Sequence, residues 1–182
     1  ISMPMVVRLP AGAGTGAAAQ HSQSLEAWLT HVPGLKVVYP SCAQDALGLM
    51  LAAIDDEDPV MYFEQKTLFG VKGEVTSLEP IPLGKGRVAR PGSDLSIITY
   101  GKQVYDALEA ADKLAGEGVD VEVIDLRSLY PLDKELIGET IAKTHKAIVI
   151  TEEVKRGGYG GEISAIIGEE FFDYLDAPVI RI

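Results

Sequence analysis

Apolar and polar positions along this chain change period several times, and each change marks an element. Met5, Val6 and Val7 open a short continuous apolar run that predicts a strand over Met5–Leu9. Beyond a run of glycine, alanine and threonine, Leu25, Trp28, Leu29 and Val32 recur as one helix face, so a helix is expected from His21 to the Pro33-Gly34 turn. Leu35–Tyr39 reads as the next strand. Ser41 with Gln44 three residues on has the pattern of a capping box, opening a helix that turns Ala46, Leu49, Met50, Ala53 and Ile54 inward. Val60–Phe63 predicts a third strand, ending at Glu64.

From about Gln65 to Gly84 the periodicity is lost, and Gly70, Gly73, Pro80 and Pro82 mark residues 71–84 as a linker between domains 1–70 and 85–182. A second alternating series follows. Its strands are expected near Arg87–Arg90, Leu95–Tyr100, Val119–Asp125, Ala147–Thr151 and Val179–Ile182, with helices over Gln103–Gly116, Lys134–Lys143 and Glu162–Leu175. Such alternation specifies an α/β fold with mainly parallel strands in βαβ units.

Composition narrows the classes. Of 182 residues, 47% are apolar and 24% charged, as in ordinary globular proteins. A net charge of −11 without a basic stripe argues against a nucleic-acid partner, and the absence of a long apolar run argues against a membrane span. One cysteine, Cys42, leaves no internal disulfide. The strand-like runs at both termini, without initiator Met or polar tail, lead to the expectation that both ends are cut from a longer protein.

His21, in Ala19-Gln20-His21-Ser22-Gln23, is the leading candidate for chemistry, because a strand followed by a small-residue loop delivers a side chain to the carboxyl edge of a sheet. A capping histidine is the alternative. Gly12, Gly14 and Ala17 fit a dinucleotide-binding spacing, but the second strand ends Tyr39-Pro40 without the acid that holds a ribose. The loop then reads as mobile or close-packed. Arg156 to Glu162, with four glycines, opens a helix and could hold an anion or serve as a tight turn. Asp55, Asp56, Glu57 and Asp58 read as a solvated acidic run, but they lie at a helix's negative end, an unfavourable placement that leaves a cation held by carbonyls and carboxylates as the alternative. Cys42 reads as an inert thiol or an activated one, and His31 and His145 as structural or exposed. Glu152-Glu153 offers a general acid or a hydrogen-bonded support for the neighbouring turn.

Several phrases in fixed order resemble a known family. Arg8-x-Pro10-x-Gly12, Ala19-Gln20-His21-Ser22-Gln23, His31-Val32-Pro33-Gly34-Leu35-Lys36-Val37-Val38, Asp45-Ala46-x-Gly48-Leu49 and Pro59-Val60 are similar to the beta subunit of thiamine diphosphate-dependent 2-oxo acid dehydrogenases. The similarity continues through the run from Ile124 to Asp133, Gly160-Gly161-Glu162-Ile163 and the run from Leu175 to Val179. Pyruvate, branched-chain and acetoin dehydrogenase beta subunits make up this group. The resemblance implies the end of a thiamine-pyrimidine-binding domain followed by a transketolase C-terminal-like domain with a mixed, mainly parallel sheet. It implies thiamine diphosphate and Mg²⁺ shared with an alpha subunit, and it places the cofactor-activating glutamate outside this chain.

It also casts His21 as the active-site histidine that protonates lipoyl sulfur during acyl transfer. Placement at a helix N-terminus would favour the neutral imidazole there. Potassium is implied at Met5, Ala53, Ile54, Asp56 and Asp58, mostly through backbone carbonyls. The implied partners are the alpha subunit, a second beta subunit and the dihydrolipoyl acyltransferase core, in bacterial cytoplasm or the mitochondrial matrix. Without the activating carboxylate, the chain alone reads as inactive, a dimerisation and docking module. The run from Thr67 to Val75 leans towards acetoin or pyruvate relatives.

Overall fold

A computed structural model describes residues 2–182. In chain order it contains β1 (Val6–Ala11), α1 (Glu26–Thr30), β2 (Lys36–Val38), α2 (Ala43–Asp55), β3 (Val60–Gln65), β4 (Arg87–Arg90), β5 (Leu95–Thr99), α3 (Gln103–Ala115), β6 (Val121–Asp125), β7 (Ser128–Tyr130), α4 (Lys134–Thr144), β8 (Ala147–Val149), α5 (Tyr159–Glu170) and β9 (Ile180–Arg181). Short 3₁₀ turns lie at Ala19–His21, Lys66–Leu68 and Phe172–Tyr174. The chain divides into two units, the first running to Lys85 and taking in Arg127–Leu132, the second made of Gly86–Leu126 and Asp133–Ile182.

The first unit has the strand order β1-β3-β2-β7. β3 is central and parallel to both neighbours, in register Val6↔Val60 through Ala11↔Gln65 with β1. Coverage on both faces explains why β3 reads as an unbroken apolar run rather than an alternation. Val38, Leu49, Ala53, Val60 and Tyr62 form its core, with Val6, Met50, Ile81 and Leu83 packed against them. Ile81 can approach because residue 48 is glycine: a Cβ there would sit 2.5 Å from the isoleucine side chain. Residues 69–85 thus carry no strand or helix yet contribute to this core.

Three expectations are corrected here. No capping box forms at Ser41; α2 begins at Ala43 behind Cys42, and the Gln44 amide instead accepts from the N–H groups of Thr76 and Ser77 and donates to the Ser77 carbonyl. The buried stripe of α2 is Asp45, Gly48, Leu49 and Ala53, whereas Ala46 and Ile54 face solvent. α1 is five residues long and begins at Glu26, not His21.

The second unit has the order β4-β6-β5-β8-β9, with β4 antiparallel to β6 and the other pairs parallel. Ile97, Ala107, Ala111, Val121 and Val123 pack β5, β6 and α3 together. Beside them lies a polar seam. The buried Glu122 carboxylate accepts from Thr140 and pairs with Lys143, and Ser96 lies 2.6 Å from the hydroxyls of both Thr140 and Thr144. The last expected helix starts earlier than Glu162 and stops at Glu170. β7, which the apolar pattern did not mark, lies antiparallel to β2 in the first unit.

Candidate functional site

The loop after β1 turns on positive φ angles at Gly12 (88°), Gly14 (88°), Gly16 (70°) and Ala18 (63°). Gly12 is required twice over. Its φ suits glycine, and a Cβ there would fall 2.0 Å from Nε2 of Gln65. Gln65 is buried and accepts from the Tyr39 hydroxyl at 2.5 Å, and the Tyr39 ring stacks on Phe63 with centroids 5.3 Å apart. The loop is therefore close-packed at its base. The Gly12 N–H donates to the Gln23 carbonyl (3.0 Å), which draws the far end of the loop back to β1.

Ala18 is the strained member, since φ 63°, ψ 178° is a region almost reserved for glycine. Its carbonyl accepts from the His21 N–H (3.2 Å) and from the Ser22 hydroxyl (2.8 Å), and the Gln23 amide donates to the Ala19 carbonyl. His21 thus ends a tight 3₁₀ turn. The helix N-terminus expected at His21 is absent, since α1 starts only at Glu26. The ring is exposed and makes no hydrogen bond among the described residues.

His21 lines a pocket of about 340 Å³. Leu9 from β1, Phe63 from β3, Leu25 just before α1, and Trp28 and Leu29 from α1 form its apolar walls. The apolar face that runs along α1 to Val32 is open rather than packed: Trp28 is 71% exposed and Val32 45%. Gln20, Gln23 and Lys66 supply the remaining polar groups. The sequence reading missed Lys66. The only signal for it lies in the strand register, which brings Pro10 beside Glu64 and lets Arg8 hold the Glu64 carboxylate through contacts of 2.6–3.2 Å. Lys66 is left without a side-chain hydrogen bond or ion pair among the described residues.

The residues expected around potassium come from the approach to β1 (Met5), the last turn of α2 (Ala53, Ile54) and the loop after it (Asp56, Asp58). Both Asp56 carboxylate oxygens lie 2.7 Å from Lys36 Nζ, and Asp58 lies 3.3 Å from it. Partial burial pushes the Asp56 carboxyl up, but Lys36 and the Asp58 N–H outweigh it and hold it below the usual value. The Met5 carbonyl accepts from the Val60 N–H. Among the described residues no three His, Cys, Asp or Glu side chains gather as a metal cluster.

Glu153, Cys42 and His145 are each tied into hydrogen bonds of the fold. Glu153 Oε1 accepts from the Gly160 N–H (3.0 Å) at the start of α5 and from the Tyr100 hydroxyl (3.4 Å), so the glycine-rich turn carries its own carboxylate rather than an external anion. Burial raises the Glu153 pKa, against the opposing N–H groups of Gly160 and Tyr159 and the Tyr100 hydroxyl. Cys42 donates to Asp45 (3.1 Å), which pairs with Arg127 (3.0 Å). His145 ends α4 in the left-handed region with Nδ1 2.8 Å from the Tyr174 carbonyl, and His31 follows α1.

Comparison with known proteins gives matches along the whole chain. Residues 1–72 match the transketolase pyrimidine-binding domain and residues 84–182 the transketolase C-terminal domain. The chain is 48% identical to the 2-oxoisovalerate dehydrogenase subunit beta of Bacillus subtilis over 100% of its length and 56% of that protein. It is 48% identical to the mitochondrial pyruvate dehydrogenase E1 component subunit beta-2 of Oryza sativa, covering 100% of this chain and 50% of that protein. Identity to the acetoin:2,6-dichlorophenolindophenol oxidoreductase subunit beta of Bacillus subtilis is 49%, over 99% of this chain and 53% of that protein. A solved split-gene transketolase, described as an inactive beta4 tetramer, superposes with a TM-score of 0.80 at 29% identity, covering 97% of this chain and 55% of the other. The chain spans about half the length of the curated relatives it matches.

Proposed function

Because this chain belongs to the transketolase family, with the pyrimidine-binding and C-terminal domains in that order, we propose that it is part of the beta subunit of a thiamine diphosphate-dependent 2-oxo acid or acetoin dehydrogenase. The observation that carries this reading is the His21 imidazole, free of hydrogen bonds among the described residues and set at an apolar pocket. Such a pocket suits the aliphatic chain and dithiolane of a lipoyl group. His21 protonates the sulfur that becomes a thiolate as the disulfide opens, and general acids of this kind contribute roughly 10²–10⁴-fold in rate.

When bound in the complete protein, thiamine diphosphate supplies the carbon nucleophile that carries the acyl group. The residues described do not fit its diphosphate or Mg²⁺: the glycine-rich helix start is filled by Glu153, and among them no three His, Cys, Asp or Glu side chains are grouped so as to hold a metal. Both are then held by the rest of the complete subunit and by an alpha subunit, with a second beta subunit and the acyltransferase core as further partners. Potassium fits better. The last carbonyls of α2, including those of Ala53 and Ile54, lie at the negative end of the helix, and Asp56 and Asp58 add charge that Lys36 only partly offsets.

The span of half a relative favours a second reading for the chain taken alone, a dimerisation and docking module without turnover. No helix among the described residues is long and apolar enough to cross a membrane. With bacterial and mitochondrial relatives, bacterial cytoplasm is the proposed compartment. The test is to pair the complete subunit with its alpha partner and assay pyruvate, branched 2-oxo acids and acetoin with an artificial electron acceptor. Activity with one of them assigns the substrate. Silence with all three, in a folded complex, leaves the docking module.

A further inference from the structure

We propose, resting on the acyl-transfer reading above, that Lys66 is the second cationic group of the His21 pocket and binds the sulfur anion released when the lipoyl disulfide opens. Lys66 begins the 3₁₀ turn after β3, and the residue before it is anchored, since Gln65 is buried against Gly12 and hydrogen-bonded to Tyr39. The lysine therefore leaves a fixed point of the backbone. Its nearest carboxylate in sequence, Glu64, is already held by Arg8. Lys66 itself makes no side-chain hydrogen bond or ion pair among the described residues. A half-buried lysine with no counter-charge among the described residues, beside the apolar walls of the pocket, is a site for an anion supplied by a ligand.

Opening the dithiolane produces such an anion. One sulfur bonds to the incoming acyl carbon, which supplies the electron pair of the new C–S bond. The S–S bond breaks, and its pair leaves with the other sulfur as a thiolate. His21, as imidazolium, gives that sulfur a proton and is left neutral. Lys66 keeps its proton throughout and stabilises the negative charge while it develops, which is where a fixed cation accelerates a reaction. A lysine suits a compact sulfur anion, because its charge is a point and needs no planar partner.

The experiment uses the complete subunit assembled with its alpha partner and compares Lys66→Met with Lys66→Arg. Two rates are read for each: S-acylation of a lipoyl domain and reduction of an artificial electron acceptor, in which no disulfide opens. The ratio of acylation to reduction is expected to fall 10- to 100-fold in Lys66→Met and to stay within about threefold of the native value in Lys66→Arg. An unchanged ratio in Lys66→Met overturns the proposal. So does an equal fall in both variants, because shape rather than charge would then be responsible. Acylation that survives His21→Ala would instead remove the acyl-transfer reading itself, whatever Lys66 does.

Discussion

In the second unit the Glu122 carboxylate holds Thr140 and Lys143, Ser96 lies within 2.6 Å of two threonine hydroxyls, and Glu153 seals the start of α5. In the first unit His21 and Lys66 share a pocket with neither side chain hydrogen-bonded among the described residues. Burial explains the contrast. A polar group taken from water must be satisfied or it costs about 1–3 kcal/mol, so Glu122 and Ser96 are tied to neighbours. A group at a pocket mouth keeps water as its partner until a ligand replaces it. Hydrogen bonds in one unit maintain structure, and unused ones in the other are available for chemistry.

The sharpest break of this comparison is a pair of substitutions with opposite expectations. His21→Ala in the complete enzyme should lower lipoyl acylation by about 10²–10⁴-fold while cofactor binding and melting temperature hold. Glu122→Ala should do the reverse, destabilising the second unit by about 2–4 kcal/mol in urea unfolding, because Thr140 loses its acceptor and Lys143 its partner. Should His21→Ala unfold the protein, or Glu122→Ala leave it as stable as before, the division of roles would be wrong.

A finer cut comes from pH. Burial raises the Glu153 carboxyl above its unfolded value near 4.5, so the folded state binds that proton more tightly. Its contribution to stability is fully present below the unfolded value and is lost as pH rises through the folded one. Urea midpoints of the native protein minus those of Glu153→Gln should therefore decline across that window, and a flat difference would remove Glu153 from the account. The smallest expected effect is at the end of α2. Replacing potassium by lithium should lower the melting temperature of the complete protein by a few degrees, about 1 kcal/mol or less, and identical melting curves would count against the ion.

The order of strands and helices was legible because its signals are local: β3 is a continuous apolar run, and α3 and α4 carry their own period. Failures came where distant residues decide. Ser41 and Gln44 have capping-box spacing, yet Thr76 and Ser77 lie where they capture the Gln44 amide. Leu25, Trp28 and Leu29 have helical spacing, but spacing cannot say whether a face meets core or an open pocket. β7 is three residues long and finds its partner, β2, some 90 positions away. His21 stood out by its phrase and the resemblance it carried. Lys66 did not, because its freedom depends on Arg8 reaching Glu64 across two parallel strands.

The return of Arg127–Leu132 to the first unit ties that unit's completion to the timetable of synthesis. β2 is made early, yet the strand that covers its outer edge is made only after β4, α3 and β6 have been translated. At roughly 5–20 residues per second the nascent chain carries that open edge for about 5–20 s, the interval in which strand edges recruit foreign partners. A ribosome stalled between residues 86 and 126 would prolong the exposure, so production of the His21-bearing unit depends on codons well downstream of its own pocket.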